Sequence, residues 1–174
     1  MHNKFAVITG QHTGKTLATA LGVALAMTGF SAVAGPTATQ MATYEVQAIN
    51  EILVSGNPGA LTVSTATAGS APDAVSNSAT TYAITTNETG KKITAALNTA
   101  MPSGVTLTVN LAAPTGGTST GATTLTATAA DVVTGITGLN ESSLGITYQL
   151  SATSAAGVVA SASKTVTFTV TDGS

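Results

Sequence analysis

Cysteine, tryptophan and arginine are missing from this chain, and of its 174 residues only 3% are aromatic and 7% charged. The absence of cysteine removes disulfides, thiolate metal sites and a lipidated cysteine anchor at one stroke. Basic residues are limited to Lys4, Lys15, Lys91, Lys92 and Lys164, and the formal net charge is −2. A nucleic-acid partner needs clustered cations to displace its counterions, so this composition argues against one.

Catalysis is poorly provided for. Both histidines, His2 and His12, lie near the N-terminus. Beyond them the chain lacks the common general base, the thiol nucleophile and the guanidinium clamp. The carboxylates Glu45, Glu51, Asp73, Glu88, Asp131, Glu141 and Asp172 are scattered singly over different turns and strands. Solvated surface charge is a plainer reading of them than a glycosidase acid pair. The chain is therefore expected not to be an enzyme and to need no cofactor.

What is present is small, apolar and β-branched. Hydrophobic residues reach 43%, mostly Ala, Val, Leu and Ile, and about a fifth of the chain is Thr, a type that fits a pleated, half-exposed surface better than a helix. With charge so sparse, the high-charge signature of disorder is missing and an ordered domain is expected.

Residues 17–30 (LATALGVALAMTGF) form an apolar run behind His2, Lys4 and Lys15, and Ala32-Val33-Ala34 supplies a small-x-small cleavage pattern. This predicts a secretory signal peptide, residues 1–34, cut between Ala34 and Gly35. The run falls short of the ~20 apolar residues that span a membrane. The segment Gly10-Gln11-His12-Thr13-Gly14-Lys15-Thr16 imitates a phosphate-cradling loop, but three residues separate its glycines where the amide nest requires four. Nucleotide binding is not expected.

From Gly35 onward, short stretches of period-two alternation are divided by Gly, Pro, Asn and Ser clusters. Ala42, Tyr44, Val46 and Ala48 alternate with Thr43, Glu45 and Gln47, giving a first strand with one apolar face. Ile52 to Val54 then runs into the turn Ser55-Gly56-Asn57-Pro58-Gly59, and a strand is expected over residues 61–67. Residues 68–79 read as a loop with room for one short strand. Tyr82 and Ile84, then Ile93, Ala95 and Leu97, predict a hairpin about the turn at residues 86–90. The clearest strand carries Val105, Leu107, Val109 and Leu111 on one face. Residues 114–121 read as a loop and 122–128 as a strand, while residues 131–138 fit a strand or a short helical turn. Leu144, Ile146, Tyr148 and Leu150 mark another strand, and Val166, Phe168 and Val170 the last.

About eight strands, each with one apolar face and no crossover helix, predict an all-β domain over residues 49–174: a two-sheet antiparallel β-sandwich of jelly-roll or Ig-like type, with a closed barrel as the alternative. Calcium is a weaker expectation, resting on Asp131, Asn140, Glu141 and Asp172 meeting at one end. A Lys–Asn amide cross-link is less favoured than ordinary exposed lysines. Asn87-Glu88-Thr89 and Asn140-Glu141-Ser142 fit the glycosylation sequon, a pattern common by chance in a Ser/Thr-rich chain.

The exported leader, the strand Tyr44-Glu45-Val46-Gln47, the turn and strand Gly56-Asn57-Pro58-Gly59-Ala60-Leu61-Thr62-Val63, the segment Thr81-Tyr82-Ala83-Ile84-Thr85-Thr86-Asn87 and the closing Thr165-Val166-Thr167-Phe168-Thr169-Val170 together resemble secreted β-sandwich fibre subunits. The likeness is one of layout, to TasA-like matrix fibre proteins, archaeal bundling pilins and spore-coat-U-like pilins. Chaperone–usher pilins carry a disulfide that this chain lacks, and type IV pilins are processed before their apolar helix. The resemblance implies a subunit, secreted to the extracellular space or cell surface, that polymerises with copies of itself by lending a strand to its neighbour. No nucleic-acid partner is expected, and no membrane association once the leader is removed. Residues 35–48 are the expected extension and donor, with Ala42, Tyr44, Val46 and Ala48 as its polymerisation face. A monomeric carbohydrate- or surface-binding module is the alternative.

Overall fold

In the computed structural model, which describes residues 35–173, the period-two pattern resolves into nine strands in two antiparallel sheets. They are β1 (Asn50–Val54), β2 (Val75–Thr86), β3 (Lys91–Leu97), β4 (Val105–Leu111), β5 (Thr118–Ser119), β6 (Thr123–Thr124), β7 (Ala130–Ile136), β8 (Leu139–Ala152) and β9 (Val166–Asp172). One sheet has the order β1-β2-β8-β4-β6 and the other β5-β7-β3-β9. The expected all-β sandwich is the fold, and the strands form two sheets rather than one closed barrel. A single 3-10 turn, Ser154–Ala156, is the sole helical element among the described residues. The chain divides into two units, one up to Thr43 and one from Tyr44 onward, and all nine strands belong to the second. The leader lies outside the described residues.

The core is assembled from the inward faces. In β4, Leu107, Val109 and Leu111 are buried, as their alternation predicts, and Ile146 and Tyr148 of β8 join Tyr82 and Ile84 of β2. From the facing sheet come Ile93, Ala95 and Leu97 of β3 with Val132, Val133 and Ile136 of β7. Val132 and Val133 are consecutive yet both fully buried. The register against β3 slips here, with Ile93 opposite Val133 and Thr94 opposite Asp131, so an extra residue is accommodated by a bulge that turns neighbours to the same side. That bulge gave residues 131–138 their helix-like spacing.

Several expectations need correction. The loop expected over residues 68–79 ends at Val75, where the 12-residue β2 begins, and the strand expected over residues 122–128 shortens to Thr123–Thr124. β2 and β3 are not a hairpin: β2 pairs with β1 and β8, while β3 pairs with β7 and β9. Residues 87–90 form an arch from one sheet to the other, and an arch keeps two apolar faces inward as well as a hairpin does, so alternation cannot tell them apart. Residues 61–67 hold Leu61 and Val63 half-buried but enter neither sheet, making just the isolated bridge from Ala66 to Pro72. Residues 42–48 are exposed throughout and form no strand. No described strand lies beside them to supply the hydrogen bonds that a strand requires.

Candidate functional site

The two sides of the sandwich are closed differently. On the β5–β6 side the chain crosses between the sheets and stitches them. Leu125 N–H donates to the Leu107 carbonyl at 2.9 Å, Leu97 N–H donates to the Thr126 carbonyl at 2.7 Å, and the buried Leu125 side chain plugs the gap. On the other side β9 pairs with β3 along one edge, and no described strand pairs with its outer edge. The consequence shows residue by residue. Val166, Phe168 and Val170 point inward but are half-buried, whereas the β3 residues directly opposite them, Leu97, Ala95 and Ile93, are 4%, 1% and 0% exposed. The inward face of β9 is thus left partly uncovered.

Against this edge lies an open-sided cavity of ≈ 560 Å³. Val166 and Phe168 line it from β9 and Thr80, Tyr148 and Leu150 from the facing sheet, with the polar Asn57 and Lys164 also in the lining. Thr80 is 4% exposed, and its hydroxyl has no hydrogen-bond partner in the described structure. It continues the inward phase of Tyr82, Ile84 and Thr86 along β2. Tyr82, by contrast, is satisfied: its hydroxyl donates to the Ala112 carbonyl at 2.5 Å. Burial, aided by the nearby Glu141 carboxylate, pushes its pKa up to about 12.

The second feature is the segment leading into β1. Tyr44 and Val46 are 91% and 78% exposed. The root of this segment is held by the side chain of Asn87: its Oδ1 accepts from Ile49 N–H at 2.8 Å, its Nδ2 donates to the Gln47 carbonyl at 2.7 Å, and its own N–H donates to the Ile49 carbonyl at 3.2 Å. Asn87 thus mimics a short piece of strand. The amide nitrogen that a glycan would occupy in the sequon at Asn87 is engaged in that clamp.

Beside the clamp, Lys91 on β3 meets Glu88 at 2.8 Å and Asp172 on β9 at 2.5 Å, while Asn50 on β1 donates to Glu88. Lysine, asparagine and acids therefore do come together, which the sequence pattern did not reveal. Their charges argue for an ion cluster rather than an amide cross-link. The carboxylates of Asp172 and Glu88 hold the Lys91 ammonium above its ordinary pKa, and hydrogen bonds from Lys91 hold both carboxyls below theirs. A protonated amine is no nucleophile. The residues considered for calcium have separate engagements: Asp131 pairs with Lys92, Glu141 accepts from Thr115, Asp172 pairs with Lys91, and Asn140 sits in β8 opposite Thr85.

Among the described residues no helix is long and apolar enough to cross a membrane. Comparison with known protein families, curated proteins and solved structures yields no match to this chain.

The alternation of Ala42, Tyr44, Val46 and Ala48 is visible in the sequence, and the structure leaves these four residues exposed and outside any strand. The half-covered edge at β9 and the unpartnered Thr80 were not visible there. The one available signal was the phase of β2: continued backward from Tyr82, it sets Thr80 in the core.

Proposed function

We propose that this protein is the structural subunit of an extracellular filament, pilus-like fibre or surface matrix, assembled when residues 42–48 of one copy add as a strand to β9 of the next. The observation that carries this reading is the coexistence, in one chain, of an alternating apolar segment standing in solvent and a half-covered apolar edge strand of matching length. β9 has 7 residues, as many as the donor face spans. Strand addition would satisfy the open backbone edge and cover Val166, Phe168 and Val170 together. Each large apolar side chain buried, Tyr44 and Val46 first, is worth about 1.5 to 3 kcal/mol before the ordering cost. The leader expected over residues 1–34 supports export, which intact-mass measurement of secreted protein would check.

A binding module built on aromatic platforms draws less support. Tyr82 and Tyr148 are buried in the core and Phe168 faces the cavity, leaving Tyr44 as the one exposed ring among the described residues. The test is negative-stain microscopy of the secreted protein beside its Val46→Asp variant. We expect filaments from the first and monomers of unchanged melting temperature from the second, since position 46 lies outside the sandwich core. Monomers from both at high concentration would remove the reading.

A further inference from the structure

Within the strand-exchange reading, on which this inference rests, the acceptor cavity has a chemical preference of its own. Its lining mixes apolar residues with polar ones, Asn57, Ser163, Lys164 and Thr165 among them, and one polar group stands apart: the Thr80 hydroxyl is buried and without a partner among the described residues. Burying a hydroxyl unbonded is costly, and such groups are rare in folded proteins. The donor face has a matching peculiarity. Of Ala42, Tyr44, Val46 and Ala48, only Tyr44 carries a polar side-chain atom, and it is 91% exposed in the free chain. A phenol can follow its ring into a buried position only if its hydroxyl finds a partner there, and Thr80 offers the hydroxyl that still lacks one.

We infer that Thr80 is the specificity-determining residue of the acceptor groove: it hydrogen-bonds the hydroxyl of Tyr44 from the incoming copy and thereby sets the register of the exchanged strand. The geometry is favourable. Thr80 projects inward from β2 in one sheet, and a strand added to β9 lies in the sheet facing it, so an inward ring from that strand points across the layer toward Thr80. A slip of one residue would turn Tyr44 outward and a slip of two would place an alanine or valine opposite the hydroxyl, leaving it unbonded. The bond therefore discriminates between registers that backbone pairing alone would treat alike.

The experiment measures binding of a fluorescent peptide of residues 38–49 to the full-length protein, held below the concentration at which it assembles. Two peptides, native and Tyr44→Phe, are titrated against native protein and the Thr80→Val variant. The native pair should bind tightest. The Phe peptide should bind native protein about three- to tenfold more weakly. The native peptide should lose roughly tenfold or more against Thr80→Val, where its hydroxyl is buried without a partner, and the Phe peptide should recover most of that loss. If all four pairs bind equally, the Thr80–Tyr44 bond is overturned while strand exchange survives. If no pair binds, strand exchange fails and this inference falls with it.

Discussion

Val109 and Thr108 are neighbours on β4, and the sandwich asks opposite things of them. Val109 is fully buried between the sheets, while Thr108 looks away from the core and is half-covered by its strand neighbours β6 and β8. A carboxylate at position 109 has no partner and no water, so Val109→Asp should cost about 3 kcal/mol or more. Thr108→Asp should cost about 0.5 to 1 kcal/mol, since its charge remains hydrated. Thermal melts of the two variants check this, and equal shifts would mean that the β4 register is wrong. Alternation sufficed to assign these faces because a strand's two sides differ in one variable, burial. Thr80 was harder to assign for the converse reason. Threonine tolerates either face, so its phase has to be inherited from Tyr82 and Ile84.

Elements show where sequence reading loses its hold. β4, β9 and the part of β8 from Leu144 to Leu150 were readable because alternation there specifies both the strand and its buried face; the start of β8, residues 139–143, was not, because a register shift against β2 interrupts the alternation. β7 was not, because its bulge sets Val132 and Val133 on one side. The β2–β3 arch was not readable either, because which sheet a strand joins depends on long-range pairing that no local pattern records. Turns carry clearer information. Gly104, at φ 76°, precedes β4, and a Cβ there would lie 2.7 Å from Thr153 Oγ1 and 2.9 Å from Ala156 Cβ. Gly104→Ala should therefore cost more than the ordinary ~1 kcal/mol of a left-handed glycine replaced by alanine, through both strain and collision. The denaturation midpoint checks it, and an unchanged midpoint would count against the tight packing of the β4–β8 end.

The ion cluster belongs to the same scale, since Lys91, Glu88 and Asp172 tie β9 to the arch, and Asn50 adds β1. Glu88 and Asp172 have lowered pKa values, chiefly through hydrogen bonds from Lys91. Their contribution is complete above the ordinary carboxylate range and is lost as pH falls through the folded values. Lys91 is raised, chiefly by its bond to Asp172. Its contribution is complete below the ordinary lysine value and is lost as pH rises through the folded one. Stability should thus form a plateau through neutral pH with a decline at each end. Lys91→Met should flatten the acid limb, read as melting temperature against pH; an acid limb unchanged in the variant would show that other carboxylates set it.

At the scale of the molecule, donor and acceptor are two different surfaces of each copy, and this decides what assembly can look like. The extension joins β1 at Asn50, where Asn87 grips residues 47 and 49, whereas the opposite end of the strand, Val54, borders the cavity. A contact between two different surfaces on each copy is heterologous, and unless its rotation closes a ring it generates an open chain. Growth then has two distinct ends, one presenting a free groove and the other a free extension. The variant Val46→Asp, which retains the groove but has a charged donor face, should occupy the extension at one end of a native filament and offer nothing to the next subunit. Mixed at about one part in ten with native protein, it should shorten filaments in proportion to its share, because each incorporated copy stops one end. Length distributions by electron microscopy, with sedimentation to follow the soluble fraction, give the readout. If native protein stops at dimers, the exchange is reciprocal and closed; if filaments keep their length whatever the share of variant, residues 42–48 are not the donor.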